Sequence, residues 1–76
     1  MDTELMMIQM DQDFNELAEE YEGAASNERI WATGSDTDEM MEQHYRNMMQ
    51  CLQMAKFYRY LASKALDLIK SFEEEN

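Results

Sequence analysis

Residues 37–72 read TDEMMEQHYRNMMQCLQMAKFYRYLASKALDLIKSF, an unbroken run with neither glycine nor proline. Stepping through it by fours and threes gives His44, Met48, Cys51, Ala55, Tyr58, Ala62, Ala65, Ile69 and Phe72. That alternation is a heptad seam, the pattern of a helix packed along its length on another helix. Met41, Tyr45 and Leu52 widen the seam on one side, and Met54, Leu61 and Leu68 widen it on the other. The pattern predicts a long helix over 37–73.

Upstream, Asp2 or Thr3 can cap a first helix over 3–22, in which Met7, Met10, Phe14, Leu17 and Tyr21 form one apolar stripe. Gly23 is the kind of residue on which helices commonly end. Residues 23–36, GAASNERIWATGSD, then read as a connector holding a short helix over 27–33, capped by Ser26 and ended by Gly34. Ser35 with Asp38, or Asp36 with Glu39, resembles a capping arrangement for the long helix. No β-branched alternation supports a strand. The expected fold is a single all-α domain, a helical hairpin with a short middle helix.

Helix length then bears on assembly. A first helix of about 20 residues spans ~30 Å and a long helix of about 35 spans ~50 Å, at 1.5 Å per residue. On that reading part of the seam stays bare in one chain. A 76-residue chain with one cysteine has no internal disulfide and no Cys/His cluster of structural-zinc spacing. Oligomerisation is the remaining route to stability for so small a core. The expectation is a homodimer through Met48, Cys51, Ala55, Tyr58, Ala62, Ala65, Ile69 and Phe72. Trp31 is expected to plug the open end of the hairpin. No basic-plus-apolar leader and no apolar run of about 18 residues is present, and a lone cysteine suits a reducing compartment, so a cytoplasmic location away from membranes is expected.

The net charge of −11 is unevenly spread. Residues 1–45 carry thirteen acids against Arg29 alone, whereas residues 46–72 carry Arg46, Lys56, Arg59, Lys64 and Lys70 against Asp67. Part of this asymmetry can set the register of the hairpin; the surplus acid can face a basic partner.

Three groups of residues could carry chemistry. Met40, His44, Met48 and Cys51 place soft donors on one helical face, a set that suits copper(I), but methionines at this spacing are packing residues first, and no metal or cofactor is expected. The only His and the only Cys lie on the seam, where they are packed rather than poised for nucleophilic work. Lys56, Phe57, Tyr60 and Lys64, with Arg46 and Gln53, lie opposite the seam and interleave bases with aromatics. They can stack a nucleotide, or pack against the acidic first helix or a second subunit. Packing is the expectation, because five basic residues in so acidic a chain are poor bait for nucleic acid.

Glu16-Leu-Ala-Glu19-Glu20 on the first helix and Glu39-Met-Met-Glu42 on the second resemble the all-α nucleotide pyrophosphohydrolases, in which E-x-x-E and E-x-x-D carboxylates on adjacent helices bind magnesium. Here the second element ends in Glu42 rather than Asp. That resemblance implies a magnesium-dependent hydrolase; the composition favours a non-enzymatic binding module. In size, charge and helicity the chain is similar to short acidic proteins that phages use against host defences, an analogy without a shared motif. The leading expectation is an inhibitor or adaptor that docks Asp11, Asp13, Glu16, Glu19 and Glu20 on a basic, nucleic-acid-handling protein. A nucleotide-sequestering protein using Lys56, Phe57, Tyr60 and Lys64 is the alternative.

Overall fold

The computed structural model describes residues 3–75. Two helices account for nearly all of them: α1 (Thr3–Thr33) and α2 (Asp38–Glu75), packed antiparallel as a hairpin 60 Å long and only 16 by 13 Å across. There is no strand among the described residues.

The expected break at Gly23 and the separate helix over 27–33 are replaced by one continuous α1. Gly23 is an ordinary helical residue, with no positive φ. The reason lies in packing. Met7, Asp11, Phe14, Ala18, Tyr21, Ala25, Glu28 and Ala32 continue one seam through the glycine without losing register, and burial along that seam outweighs a local propensity cost of about 1 kcal/mol. A Cβ built on Gly23 meets nothing within 4 Å. Gly23→Ala should therefore raise stability by about 0.5–1 kcal/mol, read as an upward shift in thermal midpoint by circular dichroism. A lower midpoint would mean that the helix is interrupted there.

The true connector is residues 34–37. Gly34 N–H donates to Ile30 O at 3.1 Å and Ser35 N–H to Ala32 O at 3.3 Å, while Thr33 Oγ1 and Ser35 Oγ donate to Ile30 O and Trp31 O at 2.8 and 2.7 Å. These bonds satisfy the carbonyls that a helix end leaves open. Thr37, rather than Ser35 or Asp36, caps α2: its Oγ1 accepts from Met40 N–H at 3.2 Å. Asp38 and Glu39 follow in the first turn, where negative charge favours the helix N-terminus. A cap at Asp2 lies outside the described residues.

A 31-residue α1 spans ~46 Å against ~57 Å for α2, so the length argument that left the seam bare no longer applies. Ala55, Ala62, Ala65 and Ile69 are buried within one chain, opposite Ala18, Ala25 and Ala32. Met48, Cys51 and Tyr58 are half-buried on the same seam, and the Phe72 side chain lies outside the described residues. The first-helix stripe is rotated from the expected one: Ala18 takes the centre and Leu17 and Met10 move to a flank, because small side chains let the backbones approach. Tyr58 fills the middle, stacked between Phe14 (centroids 6.1 Å) and Tyr21 (5.7 Å). Trp31 sits at the turn rather than the open end; it is 55% exposed, with its ring 5.8 Å from His44.

Candidate protein-binding surfaces

Three charged or polar ties cross between the helices. Arg59 donates to Glu22 Oε1 at 2.9 Å and to Asn15 Oδ1 at 2.8 Å, and His44 Nδ1 lies 2.6 Å from Glu28 Oε2. Arg59 and Glu22 are each nearly half exposed, so their pair is worth at most about 1 kcal/mol and fixes register more than stability. Glu42 is held within its own helix by Arg46 at 3.2 Å.

The five acids proposed as a docking face do not share one face. At one hundred degrees per residue, Asp13, Glu16 and Glu20 fall within about 60° on the outside of α1. Glu19 stands beside them, and all four are exposed. Asp11 points the other way: it is half-buried on the seam and accepts from Asn15 Nδ2 at 3.3 Å. None of Asp13, Glu16, Glu19 and Glu20 takes part in an ion pair between described residues, and Asp13 accepts only from Gln9 Nε2, at 2.9 Å. The outer face of α1 therefore carries an acidic row held on a rigid helix, uncommitted to the chain's own bases.

The basic and aromatic residues of α2 do share a face. Lys56, Phe57, Tyr60 and Lys64 are all exposed, and Lys64 Nζ stands 5.4 Å from the Tyr60 ring centre. Tyr60 is 57% exposed, so it is not packed within one chain and α1 does not wrap around to reach it. The face is convex. It offers stacking from one side, where small-ligand sites enclose most of their ligand.

The two carboxylate motifs are not brought together. Glu16, Glu19 and Glu20 occupy the middle of α1, whereas Glu39 and Glu42 lie beside the turn, roughly 15–25 Å away along the hairpin by helical rise. No group of three or more His, Cys, Asp or Glu side chains among the described residues is arranged to hold a metal. His44, the centre of the soft-donor set, is engaged by Glu28 and flanked by Trp31.

The rows Met41, Tyr45, Leu52 and Met54, Leu61, Leu68 of α2 were expected to flank the seam, but the difference in charge between the two flanks was not, and it is sharp. On one flank lie Arg59, Glu22, Asn15 and Arg29. On the other lie the residues that precede every second seam position, Met10, Leu17, Ala24 and Trp31 of α1 and Asn47, Met54, Leu61 and Leu68 of α2, with Met40 one heptad before Asn47. None of these nine residues is charged; Lys64, from the adjoining row of α2, is a charged side chain that reaches the flank at its open end. At the open end it includes an apolar groove lined by Met7, Met10, Phe14, Leu61, Lys64, Ala65 and Leu68. The signal that locates it is the seven-residue spacing of Ala18, Ala25 and Ala32, which fixes the seam and so both flanks. No described helix is long and apolar enough to cross a membrane. Compared with protein-family models, curated proteins and solved structures, the chain matches none.

Proposed function

We propose that this protein is a non-enzymatic binding module, an inhibitor or adaptor that presents the acidic outer face of α1 to a basic surface on a nucleic-acid-handling protein. The observation that supports this reading is the row of Asp13, Glu16 and Glu20, with Glu19 beside it, exposed and free of ion pairs with described residues. The hairpin meets its own electrostatic needs with Glu22, Glu28 and Glu42, so these four acids are left for another molecule. Rigid spacing along a helix sets out negative charge at steps of about 4.5 and 6 Å, as a docking strip for arginine and lysine requires. Asp11, committed to the seam, drops out of the face.

The test replaces Glu16, Glu19 and Glu20 together with Gln, which keeps helix propensity similar and removes three charges. With wild-type protein as bait, the captured partner should be basic, and its release should be steeply salt-dependent. Three exposed pairs at about 0.5 kcal/mol each amount to ~1.5 kcal/mol, so the triple variant should bind about tenfold more weakly, mostly through slower association, with a shallower salt dependence. Equal affinity and equal salt dependence in the variant would remove the acidic row from the interaction.

A further inference from the structure

We infer that the uncharged flank of the hairpin, from Met10 to Trp31 on α1 and from Met40 to Leu68 on α2, is the surface through which two copies of this chain associate into a four-helix bundle. Asp13 and Glu20 of the acidic row border this flank, so the two readings share those residues, but association of two copies is read from oligomeric state and does not rest on what Glu16 and Glu19 bind.

The hairpin alone has too little interior. Among the described residues, those buried are six alanines and Ile69, while sixteen large apolar side chains are exposed, a poor ratio for a chain of this size. Five of these sixteen exposed side chains share one flank. Met10, Trp31, Met40, Met54 and Leu68 line the flank whose own rows carry no charge, with half-buried Leu17 and Leu61 between them, whereas Ile8, Tyr45, Leu52 and Leu66 lie on the flank that carries Glu22, Arg29 and Arg59.

Charge selects the occupant. In a chain of net charge −11, two copies meet only where neither presents carboxylates, and this flank meets that condition along most of its length. Size agrees. The 29 residues from Met40 to Leu68 rise ~42 Å, and a strip of that length on a rod 16 Å wide has a flat footprint of about 670 Å² per copy. A specific interface needs roughly 500 Å² per copy. The strip already includes side chains from both helices, so a two-fold operation covers it with an identical strip and closes the assembly.

The rims set the orientation. On the α1 side the flank is bordered by Asp13 and Glu20, and on the α2 side by Phe57 and Lys64. A two-fold axis along the rod lays each α1 over the partner copy's α2, places acid beside lysine, and puts both turns at the same end. An axis across the rod lays α1 on α1, acid beside acid. The first arrangement is the one assigned. One lysine against two acids per rim leaves the outer surface acidic.

The test uses two substitutions of similar exposure on opposite flanks. Met54, on the uncharged flank, is 37% exposed, and Leu52, on the other, is 41% exposed. Within a single hairpin, Glu is equally tolerable at both. Sedimentation of the wild-type chain should give twice 9.1 kDa. Met54→Glu should give a single chain, folded or not by circular dichroism, and Leu52→Glu should remain a dimer with wild-type helicity. A wild-type chain that sediments singly at hundreds of micromolar, a Met54→Glu dimer, a higher oligomer, or loss of the dimer in Leu52→Glu alone would each overturn the assignment. A spin label at Asp36→Cys in a Cys51→Ala background reads the orientation without disturbing the flank. Labels within about 30 Å place the turns together; a separation near 50 Å places them apart and overturns the arrangement.

Discussion

Ala62→Asp is expected to abolish the cooperative helical transition of the protein at room temperature. Ala62 is 3% exposed, on the α2 seam opposite the alanines of α1, and the seam has no cation with which to pair a carboxylate at that height. Burying an unpaired charge there costs several kcal/mol, or forces the helices apart and forfeits the packing on either side. A 76-residue chain has roughly 4–11 kcal/mol in hand at the usual stability per residue, so one such change consumes most of it. Ser63→Asp, one residue on and exposed, is the matched control and should shift stability by less than about 0.5 kcal/mol. Urea titration followed by circular dichroism decides it; similar midpoints for the two variants would mean that Ala62 does not face α1.

The second large effect is expected at Tyr58. Its ring lies between Phe14 and Tyr21 of α1 and meets Phe57 edge-on at 5.7 Å, so one side chain joins three aromatic contacts at mid-hairpin. Truncating a buried aromatic to Ala costs about 3–5 kcal/mol; Tyr58 is only half-buried, which brings the expectation to about 2–3 kcal/mol. At 4–8 °C per kcal/mol for a domain of this size, the thermal midpoint should fall by roughly 10–20 °C. Tyr58→Phe keeps the ring stack and should stay within a few degrees of wild type. A large loss in Tyr58→Phe instead would put the stabilisation in the hydroxyl rather than in the stack.

How much of this was legible in the sequence depends on whether the deciding interaction is local. The α2 seam was readable from Met48 to Ile69 because its residues announce themselves at heptad spacing in a run with no helix breaker. Gly23 misled, since taken alone it is a stop signal, and only the partner helix supplies the reason to continue. Ser35, Asp36 and Thr37 are all competent caps, and the chain uses the third because the turn needs only four residues. The acidic face was legible as composition but not as geometry: Asp11 and Asp13 are near neighbours in sequence and point to opposite sides. Assembly was argued from an α1 that is too short, so the α2 seam was assigned to a second copy, whereas in the hairpin it is covered by α1 of the same chain.

The tightness of the 34–37 turn has a kinetic consequence. Contacts in an antiparallel pair are ordered by their distance from the turn: Glu28 meets His44 across 16 residues, Glu22 meets Arg59 across 37, and Asn15 meets Arg59 across 44. Closing the longest of these loops directly from the unfolded chain costs about 0.9 kcal/mol more than closing the shortest, and each contact made near the turn shortens the loop that the next must close. The hairpin is therefore expected to zip from Trp31 and His44 toward Met7 and Leu68 and to fray in the reverse order, with hydrogen-exchange protection falling along the rod away from the turn. The acidic row and Tyr58 lie midway on that gradient, ordered before the open-end groove and released after it.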